Sequence, residues 1–251
     1  MPTLDLTKAA AVVTGHTRGL GEAVAVHLLS RGVRVLGVSR HENATLANRF
    51  PKLRQTCLDI ADATALESWI ALGEMSAFLG DASTKLLVNN AGVLQPIGPL
   101  QMQSIDAVMR AVAVNVGAVL ALSAAFVQAT GDASQRRILH VSSGAGRKAY
   151  AGWSIYCATK AAIDQHARCV ALDRTSNLLI SSVAPGVVDT DMQAEIRAST
   201  DEQFPDRPRF VAMHQEKALP SPEHTGGRLA QYLVSDGFGR EPVFDLRDFI
   251  T

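Results

Sequence analysis

Three residues in the second half of the chain have side chains suited to exchanging protons and holding developing negative charge: Ser143, Tyr156 and Lys160. Tyr156 and Lys160 lie four apart, so on a helix they share one face, a turn apart. A free tyrosine titrates near ~10, which makes it a weak acid or base at neutral pH. A nearby ammonium stabilises the phenolate and lowers that value. Ser143 precedes Tyr156 by thirteen residues and directly follows Arg137 to Ser142, which reads as a strand. Taken alone, Tyr-x-x-x-Lys also describes an ordinary amphipathic helix surface. Its arrival after a serine at a strand end gives the chemical reading its weight.

A second constellation opens the chain. Ala9 to Val13 reads as a buried strand and runs into Thr14-Gly15-His16-Thr17-Arg18-Gly19-Leu20-Gly21. Glycines at this spacing let backbone approach a ligand closely. The helix that follows, Gly19 to Ser30, aims its N-terminal N–H groups and the positive end of its dipole at an anion such as a pyrophosphate. A tight strand-to-helix turn without a ligand would use the same glycines. The next strand, Val33 to Val38, ends in Ser39-Arg40. An acid here would hold a ribose 2′-hydroxyl. Arg40, with Arg18 nearby, instead suits a 2′-phosphate, which points to NADP(H). Two solvated surface arginines are the alternative.

The elements that must carry these residues alternate. Strands are expected at Leu53 to Leu58, Leu86 to Asn89, Leu178 to Val183 and Pro242 to Leu246. Helices are expected over Thr64 to Met75, Ser104 to Val114, Gly117 to Thr130, Ile155 to Arg174, and from a Ser221-Pro222-Glu223 start to about Ser235. Pro185 to Pro220 carries four prolines and little periodicity, so a lid or substrate loop with short helices at most is expected at about 186–220. The alternation predicts an α/β, Rossmann-like, doubly wound parallel sheet of about seven strands with helices on both faces. No repeat or linker is visible, so residues 1–251 read as one domain.

Composition excludes several classes. Lys+Arg and Asp+Glu are both 24, which gives nucleic acid or an anionic membrane no general attraction. Three cysteines without metal-like spacing argue against a disulfide framework and for a reducing compartment, hence a cytoplasmic protein. Met1 to Lys8 lacks the pattern of a signal peptide. No apolar run is expected to reach the ~20 residues that span a bilayer. No metal site is expected.

The ordered set Thr14-Gly15, Gly19, Gly21, Asp59, Asn89-Asn90-Ala91-Gly92, Asn115, Ser143, Tyr156, Lys160 and Pro185-Gly186 with Thr190 resembles the short-chain dehydrogenase/reductase family over nearly the whole chain. The resemblance implies an oxidoreductase that moves hydride between a nicotinamide dinucleotide and a small carbonyl compound. It implies that Gly15, Thr17, Arg18, Gly19, Leu20, Gly21, Ser39 and Arg40 bind the cofactor. Asp59 would contact the adenine edge, and Asn89, Ala91 and Gly92 would shape the floor beside it. Pro185, Gly186, Val188, Thr190 and Met192 would bracket the nicotinamide. Tyr156 would be the proton donor, Lys160 its tuning cation and ribose ligand, Ser143 the group that orients the carbonyl. Asn115 would hold a water that relays protons through Lys160.

Finer stretches, Gly152 to Cys157 and Ala184 to Gln193, resemble the benzil reductase and sepiapterin reductase branches, which act on vicinal dicarbonyls or related α-substituted ketones. Leu94, Tyr150, Trp153, Met192, Phe204, Phe210 and Met213 are candidate pocket walls, or plain core. Asp248 stands where an acid would anchor a pterin, or is simply solvated. The tail Asp245-Leu246-Arg247-Asp248 departs from the family's commonest ending, which disfavours tetramers built on that tail; the resemblance implies a homodimer through the Asn115 and Tyr156 helices. Two further readings stay open: an NAD-dependent secondary-alcohol dehydrogenase, and a non-catalytic dinucleotide-sensing regulator.

Overall fold

A computed structural model describes residues 4–132 and 134–250; the first three residues and the last residue of the expected domain lie outside the described residues. Seven strands form one sheet: β1 (Ala9–Thr14), β2 (Arg34–Ser39), β3 (Leu53–Cys57), β4 (Thr84–Asn89), β5 (Gln135–Val141), β6 (Leu178–Ala184) and β7 (Val243–Asp245). Their order is β3-β2-β1-β4-β5-β6-β7, and every neighbouring pair is parallel. Among the described residues ten α-helices connect them: α1 (Gly19–Ser30), α2 (Ala44–Arg49), α3 (Ala63–Ala71), α4 (Glu74–Leu79), α5 (Ile105–Val112), α6 (Ala118–Thr130), α7 (Ser154–Leu172), α8 (Asp191–Ala198), α9 (Arg207–Gln215) and α10 (Pro222–Val234). The expected doubly wound sheet with helices on both faces is present.

All six residues of β1 are buried, because helices cover both faces of a parallel sheet. Alternate residues serve opposite cores. Ala9, Ala11 and Val13 join Val24 and Leu28 of α1 and Leu229 and Leu233 of α10. Ala10 and Val12 join Leu66 of α3, Phe78 of α4, and Leu122 and Phe126 of α6. Leu28, Leu86 and Leu229 are wholly buried. A leucine in such a place contributes about 2–5 kcal/mol relative to alanine.

Three departures from the sequence reading have local causes. Helix α2, not expected, is six residues long; the Asn43 side chain caps it by accepting from the Leu46 amide at 2.9 Å. The single helix expected over Thr64 to Met75 is two, α3 and α4, because Gly73 takes a left-handed conformation (φ 73°) between them. The two helices expected over Ser104 to Thr130 are one, since a π-helical turn, Ala113–Gly117, carries α5 into α6. That continuous helix of 26 residues is long and apolar enough to reach across a bilayer, contrary to the expectation, although half of its apolar window is buried within the fold. The segment 186–220 holds α8 and α9, short helices of the kind the sequence reading allowed there.

Buried His140 of β5 pairs with half-buried His166 of α7. The Asn89 amide donates to His140 Nδ1 at 3.1 Å, which leaves Nε2–H of His140 to donate to His166 Nδ1 at 3.1 Å. Burial, followed by the charges of His166 and Lys160, holds His140 down to about 3. The folded protein therefore keeps this ring neutral, while the unfolded chain protonates it as pH falls below 6.5. Falling pH then favours the unfolded chain. Thermal melts of the wild type and His140→Gln, a change that keeps an acceptor for Asn89, should diverge between pH 6.5 and about 3. The wild type should lose Tm more steeply; parallel slopes would remove His140 as the acid-sensitive group.

Candidate active site

The carboxyl ends of the central strands converge on one rim of the sheet, where open α/β folds gather ligands. At the end of β1, the Gly15 amide donates to Val38 O at 2.9 Å. The chain then turns through Arg18, whose extended backbone starts α1 without a side-chain cap among the described residues. Gly21 packs against this turn so closely that a Cβ would lie 2.2 Å from Gly15 O. Asn90 staples the same turn from β4: its amide donates to Thr14 O at 2.9 Å and to Gly15 O at 3.2 Å. The Asn90 and Ala91 amides both donate to Thr14 Oγ1 at 3.0 Å. Sequence reasoning matched Asn90 to the motif but gave it no role. Its signal was the Asn-Asn doublet at a strand end.

Around this turn lie the other expected cofactor residues. Thr17 and Ser39 hydroxyls stand 3.5 Å apart. Arg40 is exposed at the end of β2. Arg18 pairs with Asp191 at 2.9 Å across the entrance, with both side chains about 70% exposed. Thr190 approaches Gly19, its Cγ2 3.7 Å from where a Cβ would sit, so the loop after β6 borders the turn. Asp59 accepts from the Ala61 amide at 3.1 Å and from Arg110 at 3.0 Å. Burial raises its carboxyl, but the Ala61 amide and the Arg110 and Arg40 charges outweigh that and hold it below its usual value.

At the centre of the rim, Tyr156 and Lys160 occupy the first turns of α7, and both are buried. Lys160 Nζ donates to Val141 O at 2.7 Å and lies 5.7 Å from the centre of the Tyr156 ring. Burial pulls Lys160 down to about 8, against the charge of Asp164. Burial pushes the Tyr156 phenol up to about 12, against a hydrogen bond from Ser143. At neutral pH the pair is thus a phenol beside an ammonium. Ser143 caps a short 3₁₀ turn, its Oγ accepting from the Ala145 amide at 3.1 Å. Asn115 sits in the π turn. Its amide donates to Val93 O at 2.8 Å and Thr159 Oγ1 at 3.2 Å, and its Oδ1 accepts from the Val93 amide at 2.9 Å. The π turn therefore ties the loop after β4 to the helix that carries Tyr156.

An apolar wall faces this centre. Leu94, Trp153, Phe204 and Phe210 cluster with Tyr156, and Tyr150 and Met192 pack against them. Trp153 stacks flat on Phe204, with ring centres 4.2 Å apart and planes 6° apart. Met192 Sδ lies 3.9 Å from the Tyr156 hydroxyl. Val188 is buried in the loop after β6. Met213 is half-buried outside the cluster, and Asp248 is exposed on a 3₁₀ turn, beside Arg247.

The profile of the short chain dehydrogenase family matches residues 9–201, a span that runs from β1 through Tyr156 and Lys160 to just past α8. The chain belongs to that family. It is an oxidoreductase, of a family that uses nicotinamide dinucleotides. This short-chain dehydrogenase is 34% identical over 240 residues to a benzil reductase ((S)-benzoin forming) of Bacillus cereus, covering 92% of this chain and 96% of that one. It is 30% identical to the sepiapterin reductase of Xenopus tropicalis, over 82% and 83% of the two chains. The crystal structure of a short-chain dehydrogenase/reductase from Burkholderia vietnamiensis is 47% identical, with a TM-score of 0.71 and coverage of 98% and 100%.

Proposed function

We propose that this short-chain dehydrogenase is an NADPH-dependent carbonyl reductase acting on a ketone, with a vicinal dicarbonyl or an aryl ketone as the fitting class. The observation that carries the reading is the buried phenol–ammonium pair, Tyr156 and Lys160, beside Ser143 and beneath an aromatic wall. The residues at the rim suit a dinucleotide. The turn before α1 is backbone without Cβ where it packs tightest, the start of α1 favours an anion, and Arg40 with Arg18 supplies cations for a 2′-phosphate. When bound, the nicotinamide supplies the hydride.

The rest falls to this chain. Ser143 donates a hydrogen bond to the carbonyl oxygen where charge develops. Tyr156, kept protonated by burial, gives that oxygen its proton. Lys160 supplies the positive charge that makes loss of the phenolic proton easier and offers donors to the cofactor ribose. Asn115 keeps the π turn and α7 in register and borders the route by which Lys160 is reprotonated. Pro185, Gly186, Val188 and Thr190 bracket the nicotinamide, and Asp59 faces the adenine. Trp153, Tyr150, Leu94, Phe210 and Met192 give an aryl or diketone substrate flat apolar surface. Segment 186–220, with α8 and α9, acts as the lid.

We also propose a homodimer. Ile105, Met109 and Val112 recur on one face of α5 at 80%, 63% and 42% exposure, with Leu120 on α6 and Leu172 on α7 also exposed. A second copy laid against this face covers them. Three free thiols, Cys57, Cys157 and Cys169, support a reducing compartment such as the cytoplasm.

With NADPH and benzil, Tyr156→Phe should lower kcat by about 10²–10⁴-fold while NADPH binding persists; undiminished turnover would exclude Tyr156 as the acid. Arg40→Ala should raise KM for NADPH about tenfold or more and leave that for NADH unchanged. Equal effects on both would exclude a 2′-phosphate contact. In light scattering, Met109→Glu should halve the mass of the wild type; an unchanged mass would place the interface elsewhere.

A further inference from the structure

Asp164 lies one turn beyond Lys160 on α7, so Tyr156, Lys160 and Asp164 repeat along one face at i, i+4 and i+8. Its side chain is 1% exposed. Its Oδ1 accepts from the Ser182 hydroxyl at 2.7 Å, and its Oδ2 accepts from Arg147 Nε at 3.2 Å. Arg147 follows directly on the turn that begins at Ser143. Its Nη2 donates to Phe244 O of β7 at 2.9 Å and to Ser182 O of β6 at 3.5 Å. At Gly146 a Cβ would come within 2.9 Å of the Lys160 carbonyl carbon and 3.0 Å of Asp164 Oδ2, so this turn rests directly on α7. A carboxylate buried this deeply is unfavourable unless it is paired and hydrogen-bonded. An apolar side chain would fill the same space, and packing alone gives no reason for a charge here.

We propose that Asp164 and Arg147 are a positioning pair for the reacting centre: Asp164 holds Lys160 as an ammonium beside Tyr156, and Arg147 seats the Ser143 turn against both. This rests on the reading of Tyr156 and Lys160 as the reacting pair. Lys160 has lost most of its hydration, and Asp164 is the neighbour whose charge restores the ammonium. The other titratable groups around the pair are Tyr156 on the same helix, His140 on β5, and Arg147 itself, with Asp245 of β7 beyond it. His140 is held neutral at working pH and supplies no charge. The two halves of the ion pair therefore act on Lys160 with opposite sign.

That opposition supplies the test. In cofactor-free protein carrying isotope-labelled lysine, NMR follows the Lys160 side chain through its titration, its resonance assigned by loss in Lys160→Met. Asp164→Asn, nearly isosteric, should lower the midpoint by about one pH unit or more. Arg147→Gln should raise it. The alkaline limb of kcat/KM with NADPH should move down in the first variant and up in the second. A staple that merely stabilises the fold would lower Tm in both and move neither midpoint, or move both the same way, and either result overturns the proposal. Should Asp164→Asn fail to fold, Arg147→Gln decides, with return of the wild-type midpoint in Arg147→Lys as the control. If instead Tyr156→Phe keeps its turnover, the reading of the reacting centre falls, while the Lys160 titration still decides the link to Asp164.

Discussion

An ammonium out of water is the constraint on which the site is built. Lys160 is buried, and a buried cation needs every partner the fold can offer. The carbonyl at the end of β5 gives it a hydrogen bond, the face of Tyr156 lies beside it, and the next turn of α7 brings a carboxylate. These partners come from a strand and a helix whose relative placement is set by the two apolar cores on either side of the sheet. Only as an ammonium can the lysine stabilise a phenolate beside it; burial pulls it toward the neutral form and local charge stops it going further.

The sheet divides the work along its strands. Its carboxyl ends hold the glycine turn, the Asn90 staple, Ser143 and the loop after β6, all within reach of one another. The opposite ends carry groups with no part in that chemistry. Arg137 there donates to the carbonyls of Leu233 and Ser235, each at 2.7 Å, and so closes the end of α10. The His140–His166 pair sits between sheet and helix beneath the reacting centre. It brings imidazole nitrogens between sheet and helix, and the Asn89 amide gives one of them a partner.

Strand positions were legible because parallel strands buried on both faces appear as short unbroken apolar runs, as at Ala9 to Val13 and Leu86 to Val88. The glycine turn, Tyr156 and Lys160 were legible because their spacing is itself the chemical signal. Helix α2 escaped notice: six residues with one buried leucine, Leu46, leave no period to detect. The π turn was invisible for the opposite reason, since Ala113 to Gly117 continues an apolar helical pattern and a single extra residue per turn leaves no mark in composition. Helices α8 and α9 lay in a proline-rich stretch, yet Pro208 falls at the start of α9, where proline is tolerated. Asp164 could have been found by extending the period of Tyr156 and Lys160 by one more turn. What no spacing reveals is that its partner would come from the serine turn.

The stack of Trp153 on Phe204 joins two parts of the chain with different attachments to the sheet. Trp153 directly precedes α7, the helix that carries Tyr156 and Lys160 and packs on the sheet. Phe204 lies between α8 and α9, in a segment that shares no strand with the sheet. A substitution on the Phe204 side would therefore widen, narrow or polarise the wall while leaving the helix that carries Tyr156 and Lys160 untouched. Relatives of the chain are named for substrates as unlike as benzil and sepiapterin.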